Sequence, residues 1–251
     1  MRVAVAGGTG AVGRHVVDDL RERGHEVVVL ARSTGIDLRT AAGLDQALVG
    51  VDVLIDVTSV GTSRRKAAVE FFSTVTRHLL EAEVRAGVGH HVALSIVGVD
   101  EVGLGYYQGK VAQERAIAEG PVPWTVLRAT QFHEFATQMV ERAAVGPFVL
   151  VPRMRSQPVA AREAAAVLVD LALGAPAGRT PDLAGPGVHE LPDLVRRLVQ
   201  ASSARRRVVA VSVPGRSGRA MRSGALVPDT AGPRGTQTFD DWLDELIGKQ
   251  V

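Results

Sequence analysis

The stretch "VAVAGGTGAVGRHVV" (Val3 to Val17) constrains this chain more than any other. Its β-branched opening reads as a strand and the residues from Val12 to Glu22 as a helix. The turn between them carries glycine at positions 7, 8, 10 and 13. Gly8, Gly10 and Gly13 fit G-x-G-x-x-G, and Gly7, Gly10 and Gly13 fit the related G-x-x-G-x-x-G. Small residues there let backbone N–H groups approach a pyrophosphate at the positive end of a helix, and the last glycine lets helix and strand pack closely. A nucleoside-triphosphate loop is excluded, because Arg14 and His15 stand where lysine and then serine or threonine are needed.

The rest of the chain supplies the context that such a turn requires. Strands are expected at Arg2–Ala6, Glu26–Ala31, Val53–Val57, His91–Ile96 and Trp124–Arg128. Helices are expected at Val12–Glu22, near Leu44, at Ser63–Ala86 and at Tyr107–Ala118. Continuous apolar strands alternating with helices predict an α/β chain with a doubly wound parallel sheet, covered on both faces. After about Ala129 the rhythm changes. Pro147, Pro152 and Pro158 interrupt the chain, followed by a helix at Arg162–Leu173 and a short strand and turn in "TPDLAGPGVHE". A helix near Leu194, a strand at Val208–Val213, a Gly/Arg-rich loop and a last helix at Asp240–Ile247 complete the reading. The expected division is a nucleotide-binding core over 1–129 and a smaller substrate-binding lobe over 130–251, some of whose elements return to the sheet.

The end of the second strand bears on which nucleotide is held. A carboxylate there would accept a hydrogen bond from a ribose 2'-hydroxyl. This chain has "VLARST", with Arg32 followed by Ser33. A guanidinium at that place pairs with a 2'-phosphate, which favours NADP(H) over NAD(H). Arg14 is a second candidate cation, or simply an exposed helix residue.

"GYYQGKVAQERA" (Gly105 to Ala116) is the sharpest chemical signal. It holds both tyrosines and one of only three lysines in a chain that otherwise uses arginine. Tyr106 and Lys110, four apart, share a helix face. An ammonium close to a phenol is expected to lower its pKa from ~10 towards working pH, making a proton donor for a carbonyl or a base for an alcohol. Tyr107 is three residues from Lys110, so spacing leaves it open, and an aromatic pair packing at a helix start is the plain structural alternative. Ser95, in "ALSIVGVD", ends the fourth strand, where the carboxyl ends of parallel strands line a ligand crevice.

Together "GGTGAVGR", "LARS", "IDVTS", "ALSIVG", the Tyr106/Lys110 pair and "LRATQFHEF" resemble the atypical short-chain dehydrogenase/reductases, specifically the NmrA-like NAD(P)-binding group, over essentially the whole chain. The resemblance implies a Rossmann sheet. It implies cofactor binding by Gly7, Thr9, Gly10, Ala11, Val12 and Gly13 at the pyrophosphate and by Arg32 and Ser33 at the 2'-phosphate. Asp37 and Leu38 would lie near adenine, and Thr58 and Ser59 along the cofactor ribose. Ser95, Tyr106 and Lys110 would form the catalytic set, with Lys110 also on the nicotinamide ribose. The segment Arg128 to Phe132, with Thr130 and Phe132, would flank the nicotinamide. Many NmrA-like members lack the tyrosine and lysine and serve as nucleotide sensors. The broader superfamily's catalytic asparagine has no counterpart, since the chain contains no asparagine.

Other chemistries find little support. No cysteine is present, which excludes a thiol nucleophile, a disulfide framework and thiolate metal sites. "HEFAT" lacks the second histidine of a zinc-protease motif, and adjacent His90 and His91 on a strand point to opposite faces, so no metal site is expected. No G-x-S-x-G occurs. The 29 basic residues nearly balance the 27 acidic ones, so a pI of 9.4 argues only weakly for a nucleic-acid partner and none is expected. The run "ARRRVV" (Ala204 to Val209) reads as a solvated helix end. No stretch approaches the ~18 apolar residues of a membrane span, and "MRVAVAGG" is too short in its apolar run for a signal peptide, so a cytoplasmic protein is the expectation. Phe132, His133 and Phe135 are candidates for the roof of a substrate pocket, or core, while Phe239 and Trp242 are expected to dock the last helix.

These observations predict an NADPH-dependent oxidoreductase acting on a small-molecule carbonyl, quinone or enone. The alternatives are a non-catalytic NADP(H)-sensing regulator, or an isomerase, epimerase or dehydratase that uses the cofactor transiently. Oligomeric state has no signature in the sequence.

Overall fold

A computed structural model describes residues 1–202 and 206–248. Among them the elements run β1 (Arg2–Ala6), α1 (Gly13–Glu22), β2 (Glu26–Leu30), α2 (Leu44–Ala47), β3 (Val53–Asp56), α3 (Arg65–Ala86), β4 (His90–Ile96), α4 (Gly105–Ala118) and β5 (Trp124–Ala129). They continue as α5 (Phe135–Arg142), β6 (Ala144–Val145), β7 (Phe148–Pro152), β8 (Arg155–Ser156), α6 (Ala161–Leu173), β9 (Gly178–Arg179) and β10 (His189–Glu190). The last are α7 (Leu191–Ala201), β11 (Arg207–Val211), α8 (Gly215–Ser223) and α9 (Phe239–Gly248).

Two compact units result, each discontinuous in sequence. The first comprises Met1–Ser95, Leu104–Arg128 and Arg162–Thr180. It holds a parallel six-stranded sheet in the order β2-β1-β3-β4-β5-β9, flanked by helices. Because β1 pairs with β2 on one side and β3 on the other, the strand order reverses beside β1 and a crevice opens at the carboxyl ends of β1 and β3. Both faces of the sheet are covered. Ala4 and Ala6 join a buried cluster with Leu44 and Leu48 around α2 and Val75 and Leu79 of α3, while Val3 and Val5, on the opposite face by strand alternation, are also completely buried.

Helices α3 and α4 meet closely through two glycines one turn apart. A Cβ on Gly109 would lie 2.6 Å from a ring carbon of Phe72, and one on Gly105 would lie 2.9 Å from the Cα of Arg65. Gly105 also starts α4 two residues before the expected Tyr107, so that both tyrosines lie within the helix.

The second unit comprises Ile96–Gly103, Ala129–Ala161 and Pro181–Val251. Its three-stranded sheet runs β11-β7-β6, with α5 and α7 packed on it and α9 on α7. Several elements here were not foreseen. Strand β7 fits between Pro147 and Pro152 because the prolines stand before its start and at its last residue, where they do not break the ladder. The supposed Gly/Arg-rich loop contains α8, opened by Gly215 at φ +77°, and Gly218, lacking a side chain, packs against the backbone of Val213. The arginine run is corrected too. Arg207 to Val209 belong to strand β11, Arg206 donates to the Val140 carbonyl, and residues 203–205 lie outside the described ones. Phe239 and Trp242 are buried with the His133 ring, which is core to this unit. Among the described residues no helix is long and apolar enough to cross a membrane.

Candidate active site

The glycine turn follows β1, Thr58 and Ser59 follow β3, and Ser95 lies near the end of β4. Hydrogen bonds link α4 to the chain after β3 and to β4, Tyr106 to Ser59 and Lys110 to the Leu94 carbonyl. Gly7 takes φ +81°, which an L side chain rarely adopts, and a Cβ there would meet the Val57 carbonyl at 3.0 Å and the Thr58 N at 3.1 Å. The Gly7 carbonyl then accepts from the Gly10 N–H, and Gly13 seats the first turn of α1 directly on Gly7 and Gly8. Thr9, Gly10 and Ala11 are left exposed at the helix start, with Val12 buried beneath them. No acidic residue lies in the first turn of α1 to oppose an anion.

After β2 a short 3-10 turn, Arg32–Thr34, is fixed by the Thr34 hydroxyl, which bonds to the Val29 and Ala31 carbonyls. Arg32 and Ser33 are exposed, and the Arg32 guanidinium has no partner among the described residues. Asp37 lines an open cavity of about 430 Å³ with Val60, Thr62 and Phe71. The Leu38 carbonyl is bonded to the half-buried His78 ring.

Tyr106 and Lys110 do share a face of α4, and both lie on Phe72 of α3. The Tyr106 ring meets that phenyl edge-on at 5.6 Å, and the Lys110 ammonium sits 4.6 Å over it. The expected effect of the ammonium on the phenol is not what the structure gives. Lys110 Nζ donates to the Leu94 carbonyl at 2.8 Å and to Gln113 Oε1 at 2.7 Å, with a longer contact to the Thr58 carbonyl at 3.5 Å. The Tyr106 hydroxyl instead pairs with Ser59 Oγ at 2.9 Å. Burial pushes the phenol above its ordinary pKa, the Ser59 hydrogen bond partly opposing and the Asp56 charge adding to the rise. Burial also pushes Lys110 down to about 8, against the pull of Asp56 and Glu114.

Two residues that sequence reasoning missed complete this network. Asp56 is fully buried at the end of β3; one carboxylate oxygen accepts from the Thr58 N–H and the other from Gln113 Nε2 at 2.7 Å. Only the apolar run "VLID" ending in a carboxylate signalled Asp56, and nothing signalled Gln113. Arg128, at the start of the segment expected to flank the nicotinamide, makes a bidentate pair with Glu114 at 2.9 and 2.6 Å. Thr130 and Phe132 belong to the second unit, where the Thr130 hydroxyl donates to the Gln157 carbonyl. His90 and His91 point apart as expected, His90 to Thr125 and His91 to buried Glu83.

A dinucleotide fits what is present. The turn leaves no room for side chains at Gly7 and Gly13, and the buried hydroxyls of Thr58 and Ser95 have no hydrogen-bond partner among the described residues. Buried polar atoms of that kind need a partner, and the hydroxyls of a ribose are chemically suited to be one.

Comparison with known proteins places the family and the fold. The aligned curated relatives include a (4-alkanoyl-5-oxo-2,5-dihydrofuran-3-yl)methyl phosphate reductase from Streptomyces griseus subsp. griseus, 32% identical over 145 residues, 52% of this chain and 48% of that one. A chloroplastic divinyl chlorophyllide a 8-vinyl-reductase from Oryza sativa subsp. indica is 29% identical over 180 residues, 59% of this chain and 44% of that one. The chain thus matches less than half the length of either relative. Among solved structures, an NADPH-dependent quinone oxidoreductase from Escherichia coli in complex with NADPH aligns with a TM-score of 0.73 at 19% identity, covering 97% of this chain and 99% of that one. A short-chain dehydrogenase/reductase superfamily protein from Agrobacterium tumefaciens with bound NAD aligns with a TM-score of 0.70 at 18% identity, covering 100% and 97%. Both share the Rossmann-like fold. Residues 34–175 match the family model described as NAD(P)H-binding, and the glycine turn lies just ahead of that match. The chain belongs to the NAD(P)H-binding family.

Proposed function

We propose that the chain is an NADPH-dependent reductase of a small carbonyl, quinone or enone. The observation that carries this is the buried Tyr106 hydroxyl, bonded at 2.9 Å to Ser59, in the unit whose strand β4 carries the unpartnered Ser95 hydroxyl one residue before its end. Even with its pKa raised by burial, and so a weaker acid than an ordinary phenol, the Tyr106 hydroxyl can protonate the far more basic oxygen that hydride addition creates. A reduced nicotinamide supplies the hydride when bound. Ser95 Oγ holds the substrate oxygen, and Tyr106 gives that oxygen its proton. Lys110 contributes a buried positive charge at the Leu94 carbonyl, next to Ser95 in sequence. The backbone N–H groups of Gly7–Gly13 receive the pyrophosphate, and exposed Arg32 takes the 2'-phosphate, giving the preference for NADP(H). Thr58 and Ser59 serve the ribose. The substrate class draws on the relatives, one named a reductase of a dihydrofuranone phosphate and one structural neighbour a quinone oxidoreductase.

The test is to titrate the purified protein with NADPH and NADH by nicotinamide fluorescence, then follow reduced-cofactor absorbance against quinones, enones and carbonyls. Consumption that falls at least ~100-fold in Tyr106→Phe, with NADPH binding intact, supports the assignment. Unchanged turnover in that variant removes Tyr106 as the acid, and tight binding with no turnover on any compound favours nucleotide sensing.

A further inference from the structure

The buried chain Thr58 N–H, Asp56, Gln113, Lys110 has a direction that its chemistry fixes. Asp56 can only accept, at 2.8 Å from Thr58 N and at 2.7 Å from Gln113 Nε2, and the Lys110 ammonium can only donate, at 2.7 Å to Gln113 Oε1. The carboxamide between them is therefore oriented, its N–H to the carboxylate and its oxygen to the ammonium. Asp56, Gln113 and Lys110 are all buried, so each link lies in a low dielectric where a reversed amide would set like groups against one another.

We infer that Gln113 and Asp56 are positioning residues for Lys110: the carboxamide relays the Asp56 charge to Nζ and holds the ammonium at the Leu94 carbonyl, without letting carboxylate and lysine collapse into a direct ion pair. This rests on the reading of Lys110 given under the proposed function only where catalysis is concerned; the positioning itself is a statement about Lys110 in the nucleotide-free protein. A direct pair would raise the lysine's proton affinity and tie it to Asp56. The intervening amide keeps it charged yet readily deprotonated, and fixes its nitrogen beside the strand end that carries Ser95.

The buried or half-buried titratable groups on β3, β4, β5, α3 and α4 are Asp56 on β3, His90 and His91 on β4, His90 being bonded to Thr125, Glu83 and His78 on α3, Arg128 on β5, and Tyr106, Tyr107 and Glu114 on α4 itself. Arg128 is bidentate to Glu114, and His91 is paired with Glu83. The other charged side chains of α3 are exposed, apart from His78, which is half-buried against Leu38. Asp56 and Glu114 are the charges that act on Lys110.

A charge exchange tests the relay. In Asp56→Asn the new amide sets an N–H group against Gln113 Nε2, and in Gln113→Glu two carboxylates face each other. The double variant Asp56→Asn/Gln113→Glu restores every link. The amide oxygen introduced at position 56 would still accept from the Thr58 N–H, and the amide nitrogen would donate to the carboxylate introduced at position 113. Lys110 would donate to that carboxylate directly. Only three lysines occur, Lys66, Lys110 and Lys249, so a 13C-lysine NMR titration without nucleotide resolves Lys110, assigned through Lys110→Met. The wild-type lysine is expected to titrate at about 8. It should titrate lower in Asp56→Asn, and at least about one unit higher in the double variant, whose carboxylate touches Nζ. For reduction, kcat/KM is expected to fall about tenfold or more in Asp56→Asn and to stay at least about threefold below wild type in the double variant, whose lysine is tied to a carboxylate directly, with the alkaline limb of its pH profile moved upwards. An unchanged Lys110 titration in the folded double variant overturns the relay, whether or not the single variants fold. Titrations that move as expected while kcat/KM and its pH profile stay fixed support the relay and overturn the catalytic reading of Lys110 instead.

Discussion

Gly13→Ala separates close packing from helix propensity, because the two predict opposite signs. Gly13 is the first residue of α1, where alanine in place of glycine gains at most about 1 kcal/mol of intrinsic preference. The added Cβ, however, would sit 2.7 Å from the Gly8 Cα and closer still to the Gly7 carbonyl oxygen, so at least 0.7 Å of separation is missing relative to ordinary contact at 3.4 Å. Every neighbour is backbone, and none can rotate away. Overpacking against a fixed backbone costs about 3 kcal/mol at the upper end of its usual range, leaving a net loss of about 2 kcal/mol. For a chain of this size that lowers Tm by about 4–8 °C. In urea, with a slope of about 3 kcal/mol per M, the midpoint falls by about 0.7 M. Gly10→Ala is the control within the same motif, since its Cβ would meet only the Gly7 carbonyl, at 3.2 Å, and should cost about 0.5 kcal/mol or less. Urea denaturation read by tryptophan fluorescence gives both values. NADPH titration of Gly13→Ala should show at least about tenfold weaker binding, because the displaced turn is the proposed pyrophosphate site. A Gly13→Ala protein as stable as wild type, or more so, would refute the close approach and with it the reason for glycine at 13.

Three further perturbations follow from the same site. Arg32→Ala is expected to leave stability unchanged and weaken NADPH binding about tenfold while NADH binding stays, as read by fluorescence titration of both nucleotides. Lys110 titrates at about 8 in the fold against an ordinary 10.5, so between those values the unfolded chain holds more protons and its contribution to stability rises with pH. The raised Tyr106 pKa works in the opposite sense only above ~10, so the unfolding free energy of wild type relative to Lys110→Met should increase by about 2 kcal/mol from pH 7.5 to 9.5 in urea titrations. Glu114→Gln leaves the nearly buried Arg128 without its bidentate carboxylate and should destabilise the fold by about 3 kcal/mol, measured by the same denaturation.

What the sequence discloses here follows how local the cause is. The glycine turn, its strand and its helix are legible because φ, close approach and β-branching are properties of a few consecutive residues. So is the parallel sheet, whose strands are continuous apolar runs. Strand β7 and helix α8 are not, because prolines and glycines read locally as breakers while the structure uses Pro152 at a strand end and Gly218 for packing.

The site divides along the same line. Spacing alone puts Tyr106 and Lys110 on one helix face, and they do share Phe72. Their protonation does not follow from spacing, since it depends on what buries them. Gln113 lies 57 residues from Asp56 and Lys110 lies 16 from Leu94, so the lysine's partners exist only once α4 has packed on the sheet. A lysine four residues from a tyrosine therefore predicts proximity, while the direction of each pKa is decided by desolvation, and desolvation raises the acid and lowers the base together. The result is a phenol made a weaker acid and a lysine poised near 8 on the same phenyl ring, and both shifts arise from burial rather than from the ion–phenol attraction that the sequence suggests.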